Sequence, residues 1–181
     1  WNVKFFDIPY LMNRFRYLLG DKWILQYSPW GIVEQKSASI LFASREQKYW
    51  DIMGVDTLDY LDLYRKFTFV RRESYKLDYI GEVELGENKN ENPYDTFKEF
   101  YSNDYQKFVE YNIQDVELVD KLEDKMQLIA LHLTMAYEAK VNYQDVFGSV
   151  RYWDLLIYNF LKKRGMVPPP KKGAQDSRIV G

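Results

Sequence analysis

Residues 104–140 have the sequence DYQKFVEYNIQDVELVDKLEDKMQLIALHLTMAYEAK, which carries the clearest secondary-structure signal in the chain. Apolar side chains recur in it at spacings of three and four, the repeat of a helix with one apolar face. This stripe consists of Val116, Val119, Leu122, Met126, Ile129 and Leu133. The pattern therefore predicts one continuous helix from Asp104 to about Lys140.

Further segments carry the same repeat and predict shorter helices. These segments are Asp7 to Gly20, Leu77 to Leu85, and about Val150 to Lys163. Gly20 and Gly165 stand where a glycine commonly ends a helix. An additional amphipathic helix is predicted through Leu61, Tyr64, Phe67 and Phe69.

The region between the first helix and Asp59 has the pattern of a hairpin. Ser28-Pro29-Trp30-Gly31 is a turn signal. Short strands are predicted after it at Ile32–Lys36, Ile40–Ala43 and Tyr49–Met53, with a further strand at Val55–Asp59. The polar stretch Gly86–Pro93 is predicted to be an exposed loop. Helices and strands in these proportions predict a helix-rich α/β chain.

The composition excludes several classes of protein. The 181 residues are 46% hydrophobic and 18% aromatic, which is too apolar for a disordered chain. The formal net charge of −2 argues against DNA binding through a broad basic surface. It leaves room for a small acidic pocket that receives a DNA end through bridging metal ions. The sequence has no cysteine, no apolar run of membrane-spanning length and no signal-peptide pattern.

Two carboxylates stand in informative contexts, and each has a purely structural alternative. Asp7 ends a short apolar stretch at the start of a predicted helix, where an aspartate is most often an ordinary N-cap. Asp115 follows Tyr111 by four positions, which places the phenol and the carboxylate on one helix face. Such a pair could position a water molecule and a metal ion together, or it could be an ordinary solvated face.

In this order, the two contexts resemble the second and third exonuclease motifs of the family-B DNA polymerases of tailed bacteriophages. The second motif has an asparagine, a few residues and then Phe-Asp, as in Asn2 and Phe6-Asp7. The third has a tyrosine, three residues and an aspartate, as in Tyr111 and Asp115. Other segments are similar to the phage branch of the family, so the likeness covers nearly the whole chain: Val55–Tyr64, Ser74–Asp78 and Arg151–Pro168.

The resemblance implies the later part of the 3′→5′ proofreading exonuclease domain of a DNA-directed DNA polymerase. The implied parent fold is ribonuclease-H-like, a mixed sheet flanked by helices, of which this chain would hold the helix-rich part with an incomplete sheet and a β-hairpin region. Residues 1–165 would be the partial domain and residues 166–181 a linker towards the polymerase palm. The hairpin region around Trp30 would help to move the primer strand, and the protein would act in the cytoplasm of the host cell.

The resemblance also implies roles for site residues. Asp7 and Asp115 would be ligands of a two-metal Mg²⁺ or Mn²⁺ site, and Tyr111 would orient the attacking water. Asn2 and Phe6 would bind the single-stranded 3′ end of DNA. His132 is the only histidine and is expected to be a packing or surface residue rather than a metal ligand.

The first exonuclease motif, which supplies two further carboxylates in the family, would lie before residue 1. The chain alone is therefore expected to bind metal weakly and to be inactive. An unpaired sheet edge and an exposed apolar face are expected to make it self-associate. The alternative hypothesis is a non-catalytic piece that packs against an N-terminal segment or another polymerase domain and positions DNA. An unrelated ribonuclease-H-like nuclease is a third hypothesis.

Overall fold

A computed structural model describes residues 1–39, 46–87 and 93–168. Within these ranges two strands are present, β1 (Val33–Ser39) and β2 (Glu46–Ile52). The α-helices there are α1 (Ile8–Leu19), α2 (Asp21–Ile24), α3 (Tyr60–Phe67), α4 (Leu77–Leu85), α5 (Phe97–Asn103), α6 (Tyr105–Met126), α7 (Leu128–Ala139) and α8 (Ser149–Lys163). A π-helix covers Val3–Asp7, and 3₁₀-helices cover Leu25–Tyr27 and Tyr143–Phe147. None of the helices described here is both long and apolar enough to cross a lipid bilayer.

The chain forms two compact units, Trp1–His132 and the residues from Leu133 onward. In the first unit a small core joins α1 and α2 to the base of the hairpin. Its buried members are Met12, Ile24 and Trp50, with Ile8, Val33 and Ile52 packed against them. The predicted helix from Asp7 to Gly20 is confirmed as α1, which has Pro9 in its first turn and ends at Gly20 with a positive φ of 89°.

The hairpin is confirmed, with longer strands than predicted. β1 pairs antiparallel to β2, with Val33 opposite Ile52 and Ser39 opposite Glu46. The preceding turn is closed by the Gly31 N–H, which donates to the Ser28 carbonyl at 3.0 Å. The predicted strand Ile40–Ala43 lies outside the described residues.

The predicted strand at Val55–Asp59 is wrong, because this segment is irregular and leads directly into α3. Asp59 is the N-cap of α3, and its carboxylate accepts a hydrogen bond from the Leu61 N–H at 3.0 Å. α3 ends at Phe67, so the predicted continuation of this helix to Phe69 is also wrong. The Phe69 side chain is 99% exposed, since it lies beyond the buried face of the helix.

Helix α4 occupies the bounds predicted for it and packs against α6. The contact is close because α4 presents Gly81 to Leu118 of α6. A Cβ atom at Gly81 would lie 3.3 Å from Cδ2 of Leu118 and 3.0 Å from the Glu87 carbonyl oxygen. A side chain at this position would therefore require the Leu118 side chain and the Glu87 backbone to shift by a few tenths of an ångström.

The single long helix predicted from Asp104 to Lys140 is in fact two helices, α6 and α7, separated at Gln127. Gln127 has a φ of 51°, which ends α6 in the left-handed conformation. The Glu123 carboxylate then accepts hydrogen bonds from the Ile129 and Ala130 N–H groups at 3.1 and 3.3 Å, at the start of α7. A side chain of the first helix thus caps the second.

The predicted apolar stripe is partly wrong as well. Leu122 is fully buried, but Val116 is 71% exposed and Leu133 is also exposed. The face of α6 that is turned inward carries instead Tyr111, Asp115, Leu118 and Leu122. These residues follow the same three-and-four spacing in a different register, because the partners α4 and α5 determine which face of α6 is covered.

The second unit has its own small core. Ala136, Ala139, Val146 and Tyr152 are buried in it, with Met135, Val141 and Leu156 packed against them. α8 confirms the last predicted helix, and Asn159 on α8 donates to the Ala139 carbonyl at 2.7 Å. The chain is therefore α/β and helix-rich with a small antiparallel sheet, as far as the structure describes it. The division into a domain at 1–165 and a linker at 166–181 stays a prediction, and residues 169–181 lie outside the described ranges.

Candidate functional site

The segment from Val3 to Asp7 forms a π-helix, a rare conformation that often occurs at functional sites. Asn2 precedes it with a φ of 62°, and the Asn2 carbonyl accepts a hydrogen bond from the Phe6 N–H at 3.0 Å. Phe6 is 68% exposed, so its ring is available to a ligand. The segment is anchored by Asn2 at one end and continues into α1 at the other.

Asp7 is half-buried at the junction of the π-helix and α1. It occupies the N-cap position, but its side chain makes no capping hydrogen bond to α1. The structural alternative of an ordinary N-cap is therefore wrong for this carboxylate. Its oxygen atoms are not used to begin the helix.

The carboxylate that does organise this region is Asp59, which is only 2% exposed. Its Oδ1 atom accepts from the Asn2 N–H at 2.9 Å and from the Leu61 N–H at 3.0 Å. Its Oδ2 atom accepts from the Lys4 N–H at 3.0 Å. One carboxylate therefore holds the start of the π-helix and the start of α3 together.

A second polar cluster lies beside this anchor. The Trp1 ring packs on Tyr60 and Tyr64, and its Nε1 atom donates to the Tyr75 carbonyl at 3.0 Å. The Tyr64 hydroxyl donates to Glu84 Oε1 at 2.6 Å, and Arg72 contacts the same oxygen at 2.7 Å.

Burial perturbs the acids and phenols of this region. It raises the pKa of Tyr64 to about 12, with help from the hydrogen bond to Glu84. Burial also raises the pKa of Asp62, and the neighbouring charge of Asp59 acts in the same direction. Although burial acts to raise it, the pKa of Glu84 is held below its ordinary value by hydrogen bonds from Tyr64 and Arg72.

Tyr111 and Asp115 lie on the inward face of α6, at the polar end of the row that continues with Leu118 and Leu122. The Tyr111 ring contacts Phe97 and Phe100 edge-on, with centroids 5.9 and 6.0 Å apart. Asp115 is half-buried, and its Oδ1 atom is enclosed by protein. An ordinary solvated helix face does not describe this pair, because both side chains are partly withdrawn from water.

The two predicted metal ligands belong to the same compact unit. The π-helix that ends at Asp7 packs mainly against α1 and β2, whereas α6 packs mainly against α4 and α5. A common pocket for Asp7 and Asp115 therefore stays a prediction. His132 is fully buried and packs edge-on to Phe67 at 5.7 Å, so the expectation that it is a packing residue is confirmed.

Comparison with known proteins identifies the family. The sequence model described as "DNA polymerase family B, exonuclease domain" matches residues 1–80. The chain is 39% identical to the DNA-directed DNA polymerase of Escherichia phage RB69 and 36% identical to that of Enterobacteria phage T4, in each case over 93% of its length. The chain belongs to the family-B DNA polymerases. It spans 18% of the length of either phage relative.

The family match covers Asn2, Phe6, Asp7 and Asp59, whereas Tyr111 and Asp115 lie beyond it. The chain thus carries sequence of a family-B exonuclease domain, a family for which use of a divalent metal ion is expected. Residues 1–39, 46–87 and 93–168 contain no group of three or more His, Cys, Asp or Glu side chains that could hold a metal ion. Asp7 and Asp115 are the right kind of oxygen donor for Mg²⁺, but they are too few for a pair of ions.

Asp59 is a residue of the site region that could not be identified from the motifs. An aspartate directly before the apolar repeat of Tyr60, Leu61 and Tyr64 is an N-cap signal. Because Val55–Asp59 was predicted to be a strand, this N-cap signal was not recognised. Its bonds to Asn2 and Lys4 have no local sequence signal, because they join residues 57 and 55 positions apart.

Proposed function

We propose that this chain is part of the 3′→5′ proofreading exonuclease of a DNA-directed DNA polymerase, within a parent domain of the ribonuclease-H-like fold. The reaction is hydrolysis of the 3′-terminal phosphodiester. Water attacks the phosphorus, the bond to the 3′ oxygen of the preceding nucleotide breaks, and a nucleoside 5′-monophosphate leaves. The substrate is a single-stranded 3′ end, and the setting is the cytoplasm of the phage host.

The observation that carries this proposal is the placement of Asp115 and Tyr111. A carboxylate with one enclosed oxygen stands four residues from a half-buried phenol on the inward face of α6. The chain that carries them is 39% identical to a phage DNA polymerase.

Asp7 and Asp115 would each offer carboxylate oxygens to Mg²⁺ or Mn²⁺, which would activate water and stabilise the leaving oxygen when bound. Because the donors described here suit such ions in kind but not in number, carboxylates from elsewhere in the polymerase would complete the site. Tyr111 would orient the attacking water with its hydroxyl. Asn2 and the exposed Phe6 ring would hold the terminal nucleotide, the ring by stacking.

The test is a gel assay of the polymerase that contains this chain, with 5′-labelled single-stranded DNA and Mg²⁺. Asp115→Ala is expected to slow 3′→5′ degradation roughly 100-fold or more, the loss typical of removing one group that stabilises a transition state. Asp120→Ala is the matched control, since Asp120 is an exposed aspartate on the same helix and should leave the rate unchanged. Degradation by Asp115→Ala at the rate of the parent would disprove the assignment.

Tyr111→Phe separates the hydroxyl from the ring. It should slow cleavage while leaving metal binding and the ring contacts with Phe97 and Phe100 intact. Tyr105→Phe on the same helix is the control, because Tyr105 is exposed and makes its ring contact with Tyr101. Equal rates for Tyr111→Phe and Tyr105→Phe would remove Tyr111 from the proposed mechanism.

A second candidate function is that of a non-catalytic piece that packs against other polymerase domains and positions DNA. The exposed aromatic side chains favour it, notably Tyr17, Trp30 and Phe69. Such side chains could cover apolar surface on another domain or stack on bases. This second function is supported if Asp115→Ala and its control degrade DNA at equal rates while Trp30→Ala weakens DNA binding.

A further inference from the structure

We infer that Asp59 is a positioning residue that holds the Asn2–Asp7 segment in place for the exonuclease reaction, an inference that rests on the proposed function. Asp59 does not belong to either exonuclease motif and lies 57 positions after Asn2. It would act through the backbone of the segment that carries Asn2, Phe6 and Asp7. It would not touch DNA or metal itself.

The contacts of Asp59 are specific to the two ends that it joins. Oδ2 accepts from the Lys4 N–H, whereas Oδ1 accepts from the Asn2 and Leu61 N–H groups. All three distances lie between 2.9 and 3.0 Å, which is good geometry for charge-assisted hydrogen bonds. The carboxylate therefore has two structural roles. It caps α3 through Leu61, and it anchors the π-helix through Asn2 and Lys4.

The burial of Asp59 makes its contacts consequential. An ionised carboxylate that is 2% exposed would be strongly unfavourable without compensation, and the three backbone donors provide it. Two of the three donors, the Asn2 and Lys4 N–H groups, belong to the start of the π-helix. Fixing the Asn2 and Lys4 amides also fixes the following turn, because the Phe6 N–H bonds the Asn2 carbonyl at 3.0 Å.

The position of Asp7 follows from this anchor. Asp7 makes no capping bond of its own, so its placement depends on the backbone on either side of it. On one side α1 is packed on the hairpin core through Met12, and on the other side the π-helix is tied to Asp59. Loss of the hydrogen bond between the Lys4 N–H and Asp59 would leave Asp7 attached to α1. The π-helix that precedes Asp7 could then shift, and Asp7 would move with it.

Asp59→Asn separates the two structural roles of the carboxylate. The amide oxygen can replace Oδ1 and keep the bonds from Asn2 and Leu61. The amide nitrogen is a donor, so it cannot accept from Lys4. The variant should therefore retain α3 and lose the anchor at Lys4. Asp59→Ala removes all three hydrogen bonds of the carboxylate. In that variant a folding defect could not be distinguished from a positioning defect.

The first measurement is amide hydrogen exchange of the 181-residue chain by NMR, which needs no activity. In Asp59→Asn the Lys4 N–H should exchange about 10-fold faster or more, while the Leu61 N–H should stay within about 2-fold of the parent. Thr96→Ala is the control, since Thr96 caps α5 by accepting from the Glu99 N–H at 3.2 Å. It should change exchange at α5 and leave Lys4 unaffected.

The second measurement is steady-state cleavage by the polymerase that contains this chain. Displacement of a site group by about 1 Å can reduce a rate by as much as about 100-fold, so kcat for Asp59→Asn should fall about 10-fold to 100-fold. KM should change by less than about 3-fold, because the lost positioning acts on the transition state. The rate is divided by the concentration of folded enzyme, so that a folding defect is not counted as a fall in kcat.

The outcomes distinguish this inference from the proposed function. If Asp115→Ala is inactive but Asp59→Asn retains the parent's kcat or the parent's Lys4 exchange rate, the positioning role is overturned while the exonuclease assignment stands. If Asp115→Ala is as active as the parent, the proposed function fails and the positioning of a reaction fails with it. Faster Lys4 exchange together with a reduced kcat and an unchanged KM supports the role of Asp59.

Discussion

Leu122 and Val116 lie on the same helix and belong to the same apolar stripe in the sequence, but the structure separates them. Leu122 is 0% exposed, and Val116 is 71% exposed. Leu122→Ala should therefore leave a cavity and lower the free energy of unfolding by about 3 kcal/mol, within the usual range of about 2–5 kcal/mol. Val116→Ala removes little buried surface and should change it by less than about 0.5 kcal/mol.

Urea denaturation of the 181-residue chain, followed by circular dichroism, measures both effects. With a slope of about 2 kcal/mol per M of urea, Leu122→Ala should lower the midpoint by about 1.5 M. Val116→Ala should leave the midpoint within about 0.25 M of the parent. Equal losses for the two variants, or a larger loss for Val116→Ala, would refute the placement of α6 on α4.

Other predictions follow from the charged groups and the exposed apolar side chains. The folded-state pKa of Glu84 lies below its ordinary value of 4.5, so its contribution to stability is present above that pH and is lost as the pH falls through the lowered pKa. Glu84→Gln should thus be less stable than the parent at pH 7, with the difference disappearing in acid unfolding scans. The folded-state pKa of Asp62 is raised above 3.8, so the charge of Asp62 opposes folding at neutral pH. Asp62→Asn should therefore unfold at a higher temperature than the parent at pH 7, and this difference should shrink towards pH 4. Exposed apolar side chains should make the chain self-associate, and light scattering that gives the monomer mass at every concentration would contradict this.

The helices with local signals could be predicted from the sequence. α1 has an apolar repeat, Pro9 near its start and Gly20 at its end, and α4 is similarly bounded by its repeat and by Gly86. These signals act within a few residues, so they survive without any knowledge of the tertiary structure. The start of β1 was predictable for the same reason, through the turn at Ser28–Gly31 that precedes it.

The features that sequence analysis missed depend on distant contacts. The buried register of α6 is selected by α4 and α5, and a spacing of three and four fits both Val116 and Leu118. The break at Gln127 has no glycine or proline to mark it, and the cap that stabilises the new helix comes from Glu123. Among the proposed site residues, Asp7 and Asp115 could be proposed from their motifs, whereas their mutual distance could not.

The anchoring of the Asn2–Asp7 segment by Asp59 also has a consequence for synthesis on the ribosome. The ribosome adds Asp59 57 residues after Asn2 and 55 residues after Lys4. At a translation rate of about 5–20 residues per second, Asp59 follows the Asn2–Asp7 segment by several seconds. During this time α1 can already form from local contacts. The nascent chain therefore acquires the helix after Asp7 before it acquires the geometry before Asp7. A pause in translation ahead of residue 59 would prolong the interval in which Phe6 and its neighbours are exposed to chaperones and proteases.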